Sequence, residues 1–217
     1  MWDFEKNSRE ALLQLFSDHE IEKKCGVDFM GFIDAYEAIN HDLWHKYSLQ
    51  LTTKAELRYQ RFYKAFSQFG YEDLSLAHHW AEEYLTISPY KTHLIEGTMD
   101  VLDYLKDKYS LHLITNGFKE VQYIKLERCQ LKPFFQQIII SEEHGVNKPD
   151  VKIFQLAENL SNSTYQECVM IGDNYDTDIL GALNANWKAI HLSNETSSDS
   201  NKSAWQIQKL EQLKQLF

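Results

Sequence analysis

Apolar positions in the first part of the chain recur at spacings of three and four. Phe4, Ala11, Leu12, Leu15 and Phe16 make one stripe, and Phe29, Phe32, Ile33, Tyr36, Ile39, Asn40, Leu43 and Trp44 follow the next. The same period returns over residues 57–69 and 74–84. This is the signature of amphipathic helices, and it predicts four of them joined by short loops. After Pro89 the texture changes. Short apolar runs at 111–115, 137–140, 168–171 and 189–192 each fit a buried strand, and helical patterns at 98–108, 119–129, 151–159 and 176–184 alternate with them. Such alternation predicts an α/β fold, a parallel sheet with crossover helices. The expected organisation is a helical domain at 1–88 and an α/β domain at 89–217. Residues 194–203 are polar throughout and read as an exposed loop. Ile207, Leu210, Leu213 and Leu216 read as a last helix docked on the sheet.

Composition narrows the class of partner. The 217 residues are 43% hydrophobic and 25% charged, which excludes a disordered or fibrous chain. Against 22 Lys and Arg stand 32 Asp and Glu, a net charge of −10, and a field of that sign disfavours a nucleic acid polymer or an anionic membrane as partner. A phosphate-bearing ligand needs a local exception to it. Cys25, Cys129 and Cys168 are too widely spaced for a readable disulfide framework or structural zinc site, which suits a reducing cytoplasm. No apolar run approaches the roughly 18 residues of a membrane span, and Met1-Trp2-Asp3-Phe4 does not open like a signal peptide. The expectation is a cytoplasmic monomer or weak homodimer.

Ligands of a doubly wound sheet gather beyond the carboxyl ends of the strands, so the residues following each strand carry the candidate chemistry. Ile114-Thr115-Asn116-Gly117 presents a hydroxyl, an amide and backbone N–H groups suited to an anion, although Thr-Asn-Gly is also ordinary turn chemistry. In Asn147-Lys148-Pro149-Asp150 the lysine suits a phosphoryl group as a point charge, or else is a solvated residue ahead of a helix-starting proline. Gly172-Asp173-Asn174-Tyr175-Asp176-Thr177-Asp178 delivers two carboxylates at a strand tip. These suit Mg²⁺, which takes hard oxygen ligands and one or two carboxylates beside a substrate phosphate. Helix capping by Asp176 or Thr177 is the plainer reading.

In the order Thr115, Lys148, Asp173, Asp178 these segments resemble the second, third and fourth motifs of the haloacid dehalogenase superfamily of phosphotransferases and phosphohydrolases. The likeness spans residues 89–192, and the helical part before it is similar to that family's cap, in the branch of YjjG-type 5′-nucleotidases. The resemblance implies a Rossmann-like, doubly wound parallel sheet under an α-helical bundle cap. It also implies a Mg²⁺-dependent hydrolase of small phosphate monoesters, nucleoside 5′-monophosphates foremost, working through an aspartyl-phosphate. Thr115 and Asn116 would then hold the transferring phosphoryl group, Lys148 would balance its charge, Asp173 would ligate Mg²⁺, and Asp178 would orient Lys148 or a metal-bound water. Electrostatic stabilisation of this kind is what phosphoryl transfer chiefly demands.

The family's first motif, Asp-x-Asp-x-Thr after an apolar strand, has no counterpart here. Asp3 follows no strand and has no second aspartate two residues on. The resemblance therefore implies that the first, central strand and the nucleophile are encoded upstream of Met1; the alternative is a catalytically inactive protein that still binds phosphate and metal. A receiver-type phosphoacceptor domain also combines acidic residues with a strand-tip Thr and Lys, but the long helical segment and the Gly-Asp-x-x-x-x-Asp spacing argue against it. A dehalogenase has no need of the Asp173 and Asp178 metal site. For specificity, Trp2, Asn40 and Trp44 are the candidate contacts to a base or sugar, since flat bases stack on such rings. His41, His45, His78 and His79 lack a matching carboxylate at ligand spacing and read as solvated or capping.

Overall fold

The computed structural model describes residues 1–194 and 204–217. All of the polar loop expected at 194–203 except Asn194 lies outside them. The chain divides into two compact units, Trp2–His93 and Leu94–Phe217, the second of which also includes Met1.

The first unit is helical: α1 (Phe4–Asp18), α2 (Ile21–Cys25), α3 (Phe29–Ser48), α4 (Lys54–Ser67) and α5 (Leu74–Ile87). Four of these follow the sequence period. The fifth, α2, is a short turn that Ile21 and Cys25 anchor by burying the same face. Side-chain caps fix the starts of the long helices. Asp3, Asp28 and Asp73 each accept a hydrogen bond from a backbone N–H in the first turn, and Thr53 with Glu56 forms a reciprocal capping box. The core is aromatic, with Phe32, Phe62 and Phe66 arranged around Trp80 at centroid distances of 5.1–5.6 Å. Arg61 is 2% exposed within it. Its guanidinium lies 4.8 Å from the Phe62 ring and 4.7 Å from the Tyr84 ring, where the negative ring faces offset a charge that would otherwise be costly to bury.

The second unit contains α6 (Thr98–Lys106), β1 (His112–Thr115), α7 (Lys119–Arg128), β2 (Gln137–Ile140), α8 (Ser141–His144), α9 (Val151–Ser161), β3 (Val169–Gly172), α10 (Gly181–Asn184), β4 (Lys188–Leu192), β5 (Ala204–Ile207) and α11 (Leu213–Leu216). Every strand pairing is parallel. The strands form two sheets instead of the expected one: β1 pairs with β2 in the register Thr115↔Ile140, and β3, β4 and β5 make a separate three-stranded sheet in that order, with Gly172↔His191 and Leu192↔Ile207. Among the described residues no strand lies between β1 and β3. Ile114 of β1 and Met170 of β3 nevertheless share one apolar cluster with Ile153, Phe154 and Trp187. The Trp187 indole N–H reaches Glu158 Oε1 at 2.6 Å, which settles its one polar atom.

The structure differs from the sequence expectation in two further places. Ile207 ends a fifth strand instead of opening a helix, and the helix is reduced to the single turn of α11 after a 3₁₀ turn at Leu210–Gln212. The Ala-Trp-Gln-Ile alternation is short, and pairing with β4 makes it a strand. The helix expected at 176–184 is also irregular: Tyr175–Leu180 is π-helical before α10 begins. The three cysteines are free, and burial pushes each thiol up from its ordinary range, so they remain protonated.

Candidate active site

The paired strands β1 and β2 end at Thr115 and Ile140, β3 of the second sheet ends at Gly172, and the segments that follow them supply the site. Its centre is the Lys148 ammonium. Lys148 is 7% exposed and Asp178 4% exposed, and their Nζ and Oδ1 atoms lie 2.7 Å apart. Lys148 Nζ also donates to the Ile114 carbonyl at 2.9 Å, one residue before the end of β1. An ammonium has three donors and no acceptor, so this geometry leaves one donor for a further ligand. A charge buried this deeply persists because it is both paired and hydrogen-bonded.

Asn116 fixes the main chain beneath that lysine. Its Nδ2 donates to the Lys148 carbonyl at 2.8 Å, and its Oδ1 accepts the Lys148 N–H at 2.9 Å. Both ends of the carboxamide therefore tie the turn after β1 to the loop before α9. Thr115 Oγ1 accepts the Gly117 N–H at 3.0 Å, which leaves the hydroxyl proton free to donate.

Asp178 is held with equal care. Its Oδ2 accepts the Asn174 N–H at 3.2 Å, and its Oδ1 takes the Thr177 hydroxyl at 3.3 Å beside Lys148. The Asn174 carbonyl accepts from both Asp178 and Ile179, the overlap of i→i−4 and i→i−5 bonding that widens a helical turn into a π-turn. Gly172 completes the arrangement, because a Cβ there would fall on the Asp178 carboxylate. Asp173 follows at the exposed tip of β3. Its carbonyl lies 3.2 Å from His191 Nε2, and its carboxylate makes no hydrogen bond among the described residues.

Asn116, Lys148 and Asp178 thus form one hydrogen-bonded cluster; Thr115 is the chain neighbour of Asn116, and Asp173 follows Gly172. The donor chemistry fits a magnesium ion at Asp173, a hard carboxylate with unused oxygens, better than at Asp178, where both oxygens already accept hydrogen bonds and Oδ1 pairs with Lys148. Sequence reasoning assigns no role to Gly172, Asn174 or His191. His191 does carry a signal, an imidazole near the end of an otherwise apolar strand. Gly172 enters only through the Gly-Asp-x-x-x-x-Asp spacing, and nothing local marks its close approach to Asp178 or the turn at Asn174, since glycine and asparagine are ordinary at a strand exit.

The residues expected to read a base or sugar lie in the helical unit. Trp2 is half-buried, and its indole N–H donates to the Lys91 carbonyl at 2.9 Å. Trp44 packs edge-on against Tyr47. Asn40 is 5% exposed, and its Oδ1 accepts from Tyr36 and from the buried Arg61, each at 3.4 Å. The expectation of a ligand contact at Asn40 therefore meets a competing use, because Arg61 needs an oxygen inside the core.

The second unit is thus an α/β fold of parallel strands whose exits carry a buried lysine, a hydroxyl and carboxylates. The sequence profile of the haloacid dehalogenase-like hydrolases matches residues 34–192, and the chain belongs to that family. It is 30% identical to the pyrimidine 5′-nucleotidase YjjG of Escherichia coli, over 99% of this chain and 92% of that protein. It is also 30% identical to the pyrimidine 5′-nucleotidase PynA of Streptococcus pneumoniae, over 96% and 88% of the two chains. Among solved structures, the magnesium-bound putative HAD-hydrolase YfnB of Bacillus subtilis superposes with a TM-score of 0.89 at 26% identity, covering 99% of this chain and 92% of that one. The chain is accordingly an enzyme of the type to which the phosphatases and nucleotidases among these relatives belong.

Proposed function

We propose that this protein is a Mg²⁺-dependent phosphomonoesterase for small phosphates, chiefly nucleoside 5′-monophosphates with a pyrimidine base, acting through an aspartyl-phosphate. One observation carries the reading: Lys148 is buried, anchored by Asp178 and by the carbonyl of Ile114, the residue before Thr115, and has one donor left for a ligand. Lys148 supplies the fixed positive charge that a phosphoryl group requires in an acidic protein, and Thr115 donates to one of its equatorial oxygens. Asp178 is a positioning residue, because it holds the ammonium and both its oxygens already accept hydrogen bonds. Asn116 acts through the Lys148 main chain. Asp173 would hold Mg²⁺, which when bound neutralises charge on the phosphate oxygens. The attacking carboxylate in this reading is that of the family's first motif, since Asp173 and Asp178 have these other roles. The base preference follows the two nucleotidase relatives, and the helical unit serves as the cap that reads the base, with Trp2 and Trp44 as candidates.

The test uses protein isolated from its own source. Phosphate release from uridine and adenosine 5′-monophosphates is followed with Mg²⁺ and with a chelator. The expected result is hydrolysis that favours the pyrimidine nucleotide, stops with the chelator and returns with Mg²⁺. Turnover indifferent to chelation, or hydrolysis with no preference for the pyrimidine nucleotide, overturns the reading.

A further inference from the structure

The helical unit holds a second group of metal-type ligands, far along the chain from the strand tips. His79 and Glu83 stand four apart on α5 and therefore share a face. His19 closes the end of α1, where its backbone N–H caps Leu15 and Ser17. The ligand atoms of these three residues all lie within 4.8 Å of one another. Both imidazoles turn Nε2 toward the same carboxylate oxygen: His19 Nε2 is 2.5 Å from Glu83 Oε2, and His79 Nε2 is 3.5 Å from it. The two rings meet edge to face at 5.4 Å.

We propose that His19, His79 and Glu83 form a binding site for a transition-metal dication of the zinc class. A hydrogen bond to Glu83 needs only one imidazole, and an exposed histidine–carboxylate pair contributes little stability. Convergence of two ring nitrogens and a carboxylate is the donor set of a three-ligand zinc site, with the fourth position open. Metal bonds of about 2.0–2.2 Å in a tetrahedron place neighbouring ligand atoms about 3.4 Å apart. The His79–Glu83 spacing already suits this, and His19 has to retreat from Glu83 by about 1 Å, trading a hydrogen bond for coordination. The open side faces water, since His79 is 60% exposed, while His19 is held against Trp80 at 5.9 Å. Two nitrogen ligands select against Mg²⁺, which prefers oxygen, so the site is chemically distinct from the one at Asp173. In sequence terms, the carboxylate that the histidine cluster lacks is Glu83, one helical turn beyond His79.

Zn²⁺ alone is titrated into the whole protein by calorimetry with Mg²⁺ in large excess, and Co²⁺ binding is followed by its visible absorption. The expected result is one tightly bound equivalent, with a Co²⁺ spectrum of low coordination number. His79→Ala, an exposed change, should weaken that binding by at least about 10- to 100-fold, the loss that follows even from removing a group that only supports a ligand. His41→Ala should bind as the parent does, and circular dichroism should show both variants folded. No saturable equivalent, or equal binding by the parent and His79→Ala, overturns the proposal.

Discussion

Lys148 and Asp178 lie thirty residues apart in sequence, and their 2.7 Å contact depends on an atom that is missing, the Cβ of Gly172. Gly172→Ala is therefore expected to displace the Asp178 carboxylate and with it the ammonium. Misplacement by about 1 Å lowers turnover on the order of 10²-fold. The measurement is kcat for p-nitrophenyl phosphate alongside a thermal melt, and an unchanged kcat would remove Asp178 from its positioning role. At this scale the site is partly legible from sequence. Thr115 and Asp173 stand out as polar residues where apolar runs end, and Lys148 and Asp178 stand in the polar segments that follow such runs. What Asn116 does is not legible, because whether a carboxamide faces a ligand or a backbone depends on a loop 32 residues away. Asn40 lies on the apolar stripe of α3, but its partner Arg61 belongs to another helix.

Elements follow the sequence where the determinants are local. Thr53 and Glu56 are readable as a helix start, and the structure shows both halves of the box. Thr53→Ala removes the side-chain acceptor for the Glu56 N–H and should lower stability by about 1 kcal/mol, read as a shift in urea midpoint at unchanged slope. Where the determinants are not local, the period misleads. β5 exists because β4 offers it a ladder, and without that neighbour the residues around Ile207 fit a helical spacing as well. The π-turn at Tyr175–Leu180 likewise has no periodic signature; it is visible only in the two bonds to the Asn174 carbonyl.

For the whole molecule, a net charge of −10 opposes a dianionic substrate, and the buried Lys148 is a local exception within that field. Salt screens the long-range repulsion over roughly 10 Å at 0.1 M but barely reaches a buried contact. Raising ionic strength is therefore expected to lower KM for a nucleoside monophosphate while leaving kcat nearly constant. Initial-rate measurements across a salt series check this, and a KM that rises with salt would place a positive field around the site.

The sequence by itself determined the helical first part, the alternation of strand and helix after it, the acidic character, and the strand-tip Thr, Lys and Asp. All of these are written in composition or in spacings of two to four residues, which the backbone converts directly into faces and ends. Only the tertiary structure decided that Asp178 holds Lys148, that Asn116 clamps the lysine's main chain, that β5 is a strand, and that His19 meets Glu83 from 64 residues away. Those pairings are chosen when elements pack and bury polar atoms that then need partners, and the partner chosen is whichever group the fold has brought within reach.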